Sequence, residues 1–153
     1  VNTAQRRGAR AAGEIGRNCL AVRVRLLNRA ITRTYDDALR PHGTTTGQLN
    51  VLTSIAIRQP VPAGKLARLL SMEISTLSRN ARLLQQDGLI QIEHAERGNG
   101  RILSLTDAGA EKLAKLRPAW RDAQRHAHEL LGNEASEAIK QLVDPTFAEQ
   151  RIG

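Results

Sequence analysis

Between Asp87 and Thr106 the hydrophobic period of the chain changes twice, and this restricts the fold more than any other feature of the sequence. Upstream, Ile74, Leu77, Ala81 and Leu84 recur at helical spacing, and the pattern stops at Gly88, a residue suited to a left-handed C-cap. From Leu89 to His94 and from Arg101 to Leu105 the pattern is extended. Gly98-Asn99-Gly100 between them suits a hairpin loop that needs positive φ. Thr106 then caps a new helix, apolar at Leu113, Leu116, Trp120, Ala123, Ala127 and Leu130. The expectation is a mainly α chain interrupted once by a small two-stranded β-wing.

The remaining elements follow from caps and breakers. The first twelve residues lack apolar periodicity and are expected to form a basic, mobile arm. One long helix is expected from Glu14 to Leu39, with Ile15, Leu20, Val22, Leu26, Leu27, Ala30 and Ile31 along it, stopped by Pro41 and Gly43. Thr45 and Gln48 fit a capping box opening a second helix through Leu49, Leu52, Ile55 and Ala56. Pro62 is placed as the first residue of a short third helix reaching Leu70. Ser71 to Ile74 turn into a fourth, Glu73 to Asp87. Pro118 should kink the fifth helix and Gly132 should end it, with Asn133 capping a final helix closed by Pro145.

Two helices joined by a tight turn and followed by a hairpin make a winged helix-turn-helix, whose second helix can lie in a DNA major groove. The division expected is an arm at 1–12, dimerisation helices at 13–44 and 106–145, and the winged unit at 45–105. The apolar faces of the terminal helices exceed what one small winged core can cover, which favours a two-fold homodimer.

Charge supports a polyanionic partner: 23 Lys and Arg against 15 Asp and Glu give a net charge of +8. Segment 71–105 is itself nearly balanced, so arrangement must carry the argument. On the fourth helix Ser75, Arg79, Arg82 and Gln86 share the face opposite Leu77, Ala81 and Leu84, with Thr76 and Ser78 flanking it. Hydroxyls and arginines suit phosphates and base edges of double-stranded DNA. A solvated surface helix carries the same residue types, and a winged helix can serve protein contacts instead, so the turn and the wing tip the balance.

Other classes find little footing. No apolar run is long enough to cross a bilayer, and the segment Val1 to Arg10 is basic without an apolar stretch after it, so a cytoplasmic protein with no membrane partner is expected. Cys19 is the one cysteine, which excludes an internal disulfide and a thiolate zinc site. There is no phosphate loop or nucleophile motif, so no enzyme and no cofactor are expected. His126 and His128, two apart on a helix, point in different directions and do not suggest a metal site.

The run Lys65-Leu66-Ala67-Arg68-Leu69-Leu70-Ser71-Met72-Glu73-Ile74-Ser75-Thr76-Leu77-Ser78-Arg79-Asn80, with Leu83-Leu84, Asp87-Gly88-Leu89-Ile90 and Leu103-Ser104-Leu105-Thr106-Asp107-Ala108-Gly109, resembles the MarR family of regulators over roughly residues 14 to 143. The resemblance implies a homodimeric transcription regulator, in the usual case a repressor, on a pseudo-palindromic site. It implies groove contacts from Ser75, Thr76, Ser78 and Arg79 and a minor-groove arginine at Arg97, with Arg82, Arg101 and Lys65 in the same DNA-binding set. The aspartate that usually orients the wing arginine is absent, and Glu96 or Glu93 stands in its place. Thr44 occupies a usually apolar position that would staple against Leu49, so Thr44→Leu is expected to raise thermal stability. The resemblance also implies release from DNA by a small aromatic or anionic effector, for which Arg23, Arg29, Tyr35 and Trp120 are the candidates. Redox sensing through Cys19 is an alternative, although no tyrosine lies near it in sequence and a buried cysteine ordinarily acts as a small hydrophobe.

Overall fold

In the computed structural model, residues 2–96 and 100–143 are described. The chain divides into two compact units, Val1–Arg33 and Thr34–Gly153.

The first unit holds helix α1 (Thr3–Asn18) and most of α2 (Leu20–Leu39). The expected irregular arm is therefore helical. Ala4, Gln5, Arg6, Arg7, Ala9, Arg10, Ala11 and Ala12 are strong helix formers, and helix needs no apolar stripe when propensity and capping agree. Asn2 supplies the cap: its Oδ1 accepts from Ala4 N at 3.0 Å, and Gln5 Oε1 accepts from Asn2 N at 3.0 Å. The single long helix expected from Glu14 to Leu39 is in fact broken at Cys19, which is extended with ψ 108°. Gly13, Gly16 and Asn18 weaken the turns before it, and Asn18 Nδ2 donates to Glu14 O at 3.0 Å.

In the second unit, α2 ends in a 3-10 turn (Arg40–His42) and left-handed Gly43, φ 64°. Helix α3 (Thr46–Arg58) opens on the expected capping box, Thr45 Oγ1 accepting from Gln48 N at 3.2 Å and Gln48 Oε1 from Thr45 N at 3.0 Å. A second tether has no counterpart in the sequence pattern. Asp36 Oδ1 accepts from both Thr46 N and Thr46 Oγ1 at 2.7 Å, tying the end of α2 to the start of α3.

Strand β1 (Val61–Pro62), helix α4 (Ala63–Leu69), helix α5 (Ile74–Gln86) and strands β2 (Ile90–His94) and β3 (Arg101–Leu105) follow. The expected two-stranded wing is a three-stranded antiparallel sheet in the order β1-β3-β2. Val61 pairs with Leu103 and Pro62 with Ile102, so Pro62 belongs to a short edge strand and takes the N-cap place of α4 rather than its first turn. Gly88 has the expected left-handed conformation, φ 71°. Gly98 and Asn99 lie outside the described residues. Gly100 does not adopt positive φ, and its carbonyl closes the hairpin by accepting from Ala95 N at 2.8 Å.

Helix α6 (Asp107–Leu142) starts on Thr106, whose Oγ1 accepts from Gly109 N at 3.0 Å and donates to Gly88 O at 2.7 Å. Thr106 N donates to Leu89 O at 3.1 Å. Gly109 has no space for a side chain: a Cβ there would lie 2.1 Å from Leu89 O and 2.7 Å from Leu105 Cδ1. The Leu-Thr-x-x-Gly motif is thus the joint that presses α6 onto the root of the wing. Pro118 sits inside α6 with helical dihedrals, and the break falls at Gly132, φ 76° and ψ 165°. Gly132 rather than Asn133 therefore holds the non-helical cap position, and Pro145 lies outside the described residues.

The main core gathers Val51, Leu52 and Ile55 of α3, Leu66 of α4, Leu77, Ala81 and Leu84 of α5, and Val61, Ile90 and Leu103 of the sheet. A second cluster joins Leu39, Leu49, Leu116 and Ala119. The winged unit is therefore a sheet and three helices closed over leucines, and α5 is held on one side only.

Candidate nucleic-acid interface

Helix α5 buries Leu77, Ala81 and Leu84 and leaves Ser75, Thr76, Arg79, Arg82 and Gln86 exposed, with Ser78 half-buried. Ile74 departs from the expected apolar face: it is 51% exposed, because it stands in the first turn, beyond the reach of the core. Asn80 is half-buried, its Nδ2 3.9 Å from Met72 Sδ, and helps fix the turn between α4 and α5. No ion pair among the described residues engages Arg79 or Arg82.

At the N-terminus of α5, Glu73 makes no side-chain cap and no acidic residue sits in the first turn. The free backbone N–H groups and the positive end of the helix dipole there favour an anion, beside the hydroxyls of Ser75 and Thr76. Lys65 is exposed on α4. Arg101 opens β3, exposed and directly opposite His94 in the ladder. Arg97 lies outside the described residues. A helix face of serine, threonine and arginine thus stands beside a hairpin that carries Arg101, on a scaffold anchored from behind.

No sequence-family model matches the chain, and no curated protein does. Solved structures do. The M. tuberculosis transcriptional regulator MosR in complex with DNA is 28% identical, with TM-score 0.70 over 89% of this chain and 100% of that one. AbsC, a MarR family transcriptional regulator from Streptomyces coelicolor, is 24% identical, with TM-score 0.67 over 86% of this chain and 92% of that one. The chain shares the winged-helix fold of these transcriptional regulators. A variant of MarR from E. coli complexed with operator DNA shares the fold at 20% identity, with TM-score 0.72 over 84% of this chain and 93% of that one.

The other candidate residues are less gathered. Arg23 and Arg29 are exposed on the part of α2 that belongs to the first unit. In the second unit Tyr35 is half-buried, its hydroxyl donating to Gln124 Oε1, while Gln124 Nε2 lies 3.2 Å from His128 Nε2. Burial pushes the Tyr35 phenol above its ordinary pKa. Trp120 is 40% exposed. The cleft near Tyr35 and Trp120, about 690 Å³, includes neither in its lining and is walled by Asp37, His42, Asp122 and His126 among others. Cys19 is half-buried at the junction of α1 and α2 rather than inside a helix. Among the described residues no three His, Cys, Asp or Glu side chains group as a metal site, and no helix is long and apolar enough to cross a membrane.

His94 lines the cleft between α5 and the hairpin beside Arg101, a placement the sequence pattern did not single out. Its signal was the strand period: it falls on the same sheet face as Ile90 and Ile92, where a further apolar residue would continue the core.

Proposed function

We propose that this protein is a transcription regulator, acting as a cytoplasmic repressor, that binds a pseudo-palindromic double-stranded DNA site as a homodimer. The observation that carries the reading is the outward face of α5, where Ser75, Thr76, Arg79 and Arg82 are exposed and the two arginines form no ion pair among the described residues. Arginine in a major groove bonds guanine in a bidentate way, and the uncapped start of α5 suits a backbone phosphate. MosR and the MarR variant, each named as bound to DNA, share this scaffold.

Exposed apolar side chains support a second copy. Ile15, Leu20, Val24 and Leu26 near one end of the chain, and Leu130, Ile139 and Leu142 near the other, are each 38–82% exposed. Such residues in number are ordinarily covered by a partner, and in a closed two-fold assembly that partner is the same chain. Effector release belongs to this reading: a small organic anion that binds one separation of the two α5 helices more tightly than the other would shift the population away from DNA.

Selecting bound duplexes from a random pool tests the proposal. An enriched inverted repeat with half-sites about one helical turn apart, bound by a dimer with an affinity that falls steeply with salt, is the expected result. Failure to enrich any duplex would reject it and favour a protein-contact role for the winged unit.

A further inference from the structure

The net charge of +8 is unevenly placed along the chain. Residues 1–33, the span of the first compact unit, hold eight arginines, no lysine and a single carboxylate, Glu14. The rest of the chain is close to neutral. The family resemblance begins near residue 14, so Arg6, Arg7 and Arg10 lie ahead of it.

The arginines are arranged in rows. On α1, Arg6, Arg10 and Arg17 follow one another at steps of four and seven residues and so share a face. On α2, Arg25, Arg29 and Arg33 recur at steps of four, opposite Leu20, Leu27 and Ile31. All of these arginines are exposed. No ion pair among the described residues engages an arginine of α1, or Arg23, Arg25 or Arg29 of α2. Like charges at i and i+4 destabilise a helix, and Arg6 and Arg7 stand near the N-terminal end of α1, where the helix dipole favours an anion. A bound polyanion relieves both strains.

The chemistry of the unit favours a nucleic-acid backbone. Its cations are all arginine, whose planar fork bonds a phosphate in a bidentate way. Helix α1 has Ile15 as its one large apolar residue, too little to seat it in a lipid surface. A duplex held by α5 also meets a second site on the same chain at high effective concentration.

We propose that the first unit, through the arginine rows of α1 and α2, is a second DNA-binding element that grips backbone phosphates of duplex DNA without regard to sequence. The inference rests on the DNA-binding reading of α5 and adds to it a separate surface on a separate unit. From Arg6 to Arg17 the row rises about 16 Å, a length over which one strand of a duplex offers about five phosphates.

The selected duplex and a scrambled duplex are titrated between 50 and 200 mM salt, with the full-length wild type and with the triple variant Arg6→Gln, Arg10→Gln, Arg17→Gln. Glutamine is close to arginine in helix propensity and the three positions are exposed, so the variant is expected to keep the helical signal and the Tm of the wild type. The expected result is a fall of at least about tenfold in affinity for the scrambled duplex at the lowest salt, with a salt slope lower by about one to three per subunit. The order of base preferences on the selected duplex is expected to hold. Scrambled-duplex affinity and slope equal to those of the wild type would overturn the proposal and leave the α5 reading intact. Altered base preferences in the variant would overturn it as well, because a phosphate carries no sequence information. So would wild-type binding to anionic phospholipid vesicles without binding to the scrambled duplex, which would assign the rows to a membrane surface. A wild type that binds no duplex, selected or scrambled, would reject both readings.

Discussion

Replacing Gly109 by alanine puts one methyl group where the structure has no room. The added Cβ would meet Leu89 O at 2.1 Å and Leu105 Cδ1 at 2.7 Å. Leu105 can turn aside, but the carbonyl is backbone at the root of β2, so the first turn of α6 must move by about 1 Å to restore ordinary contact. Overpacking of this kind costs about 3 kcal/mol when the neighbour cannot yield. The movement also lengthens the 3.1 Å bond from Thr106 N to Leu89 O, a further loss of about 1 kcal/mol. Alanine returns about 1 kcal/mol through its better helix propensity. The net is about 3 kcal/mol, or a fall in Tm of about 9 °C for a domain of this size. Thermal unfolding followed by circular dichroism, at one fixed protein concentration because any self-association would shift Tm, measures it. Gly64→Ala on α4 is the control, since its Cβ meets nothing closer than Arg68 Nη1 at 3.8 Å and should hold or raise Tm. A Gly109→Ala protein as stable as the wild type would refute the close joint between α6 and the wing.

Thr44 is buried, and its hydroxyl donates to His42 O over a long 3.3 Å while Lys112 Nζ also serves that carbonyl at 2.6 Å. The shape-conserving Thr44→Val should therefore stabilise by about 0.5–1 kcal/mol in urea unfolding, whereas Thr44→Leu, expected from the sequence to stabilise, overfills a site only 5% exposed. Burial raises the Tyr35 pKa above the ordinary 10.0, so between the unfolded and folded values the unfolded chain has lost a proton that the folded one keeps. Stability present below pH 10 is then lost as pH rises through the folded value, and denaturation at pH 9 and pH 11 should show a steeper loss for wild type than for Tyr35→Phe. Lys65→Ala should weaken binding to matched and scrambled duplexes by the same factor and lower the salt slope by about one per subunit, as gel-shift titrations across a salt series will report.

What the sequence revealed was mostly local. The Thr45–Gln48 capping box, left-handed Gly88 and the break at Gly132 each depend on residues within a few positions of one another. Helix α1 escaped notice because its evidence is propensity and the Asn2 cap, not an apolar stripe, and none of its residues is buried. Strand β1 is two residues long and exists only by pairing with β3, forty residues away in the chain. The contacts of Asp36 with Thr46, ten residues on, have no periodic signature. For the interface, the buried and outward faces of α5 were legible from Leu77, Ala81 and Leu84. Where the apolar face stops was not: Ile74 fits the helical period yet is exposed, and His94 fits the strand period yet is polar. In both cases the core ends before the pattern does.

The central claim is that α5 presents Arg79 to base edges. The most direct measurement is the affinity of Arg79→Ala for the selected duplex and for its single-base variants, at one salt concentration. The account predicts a loss of about 1–3 kcal/mol on the selected duplex and relaxed preference at one symmetric pair of positions, with thermal stability unchanged. Unaltered affinity, or a uniform loss with every base preference intact, would contradict it.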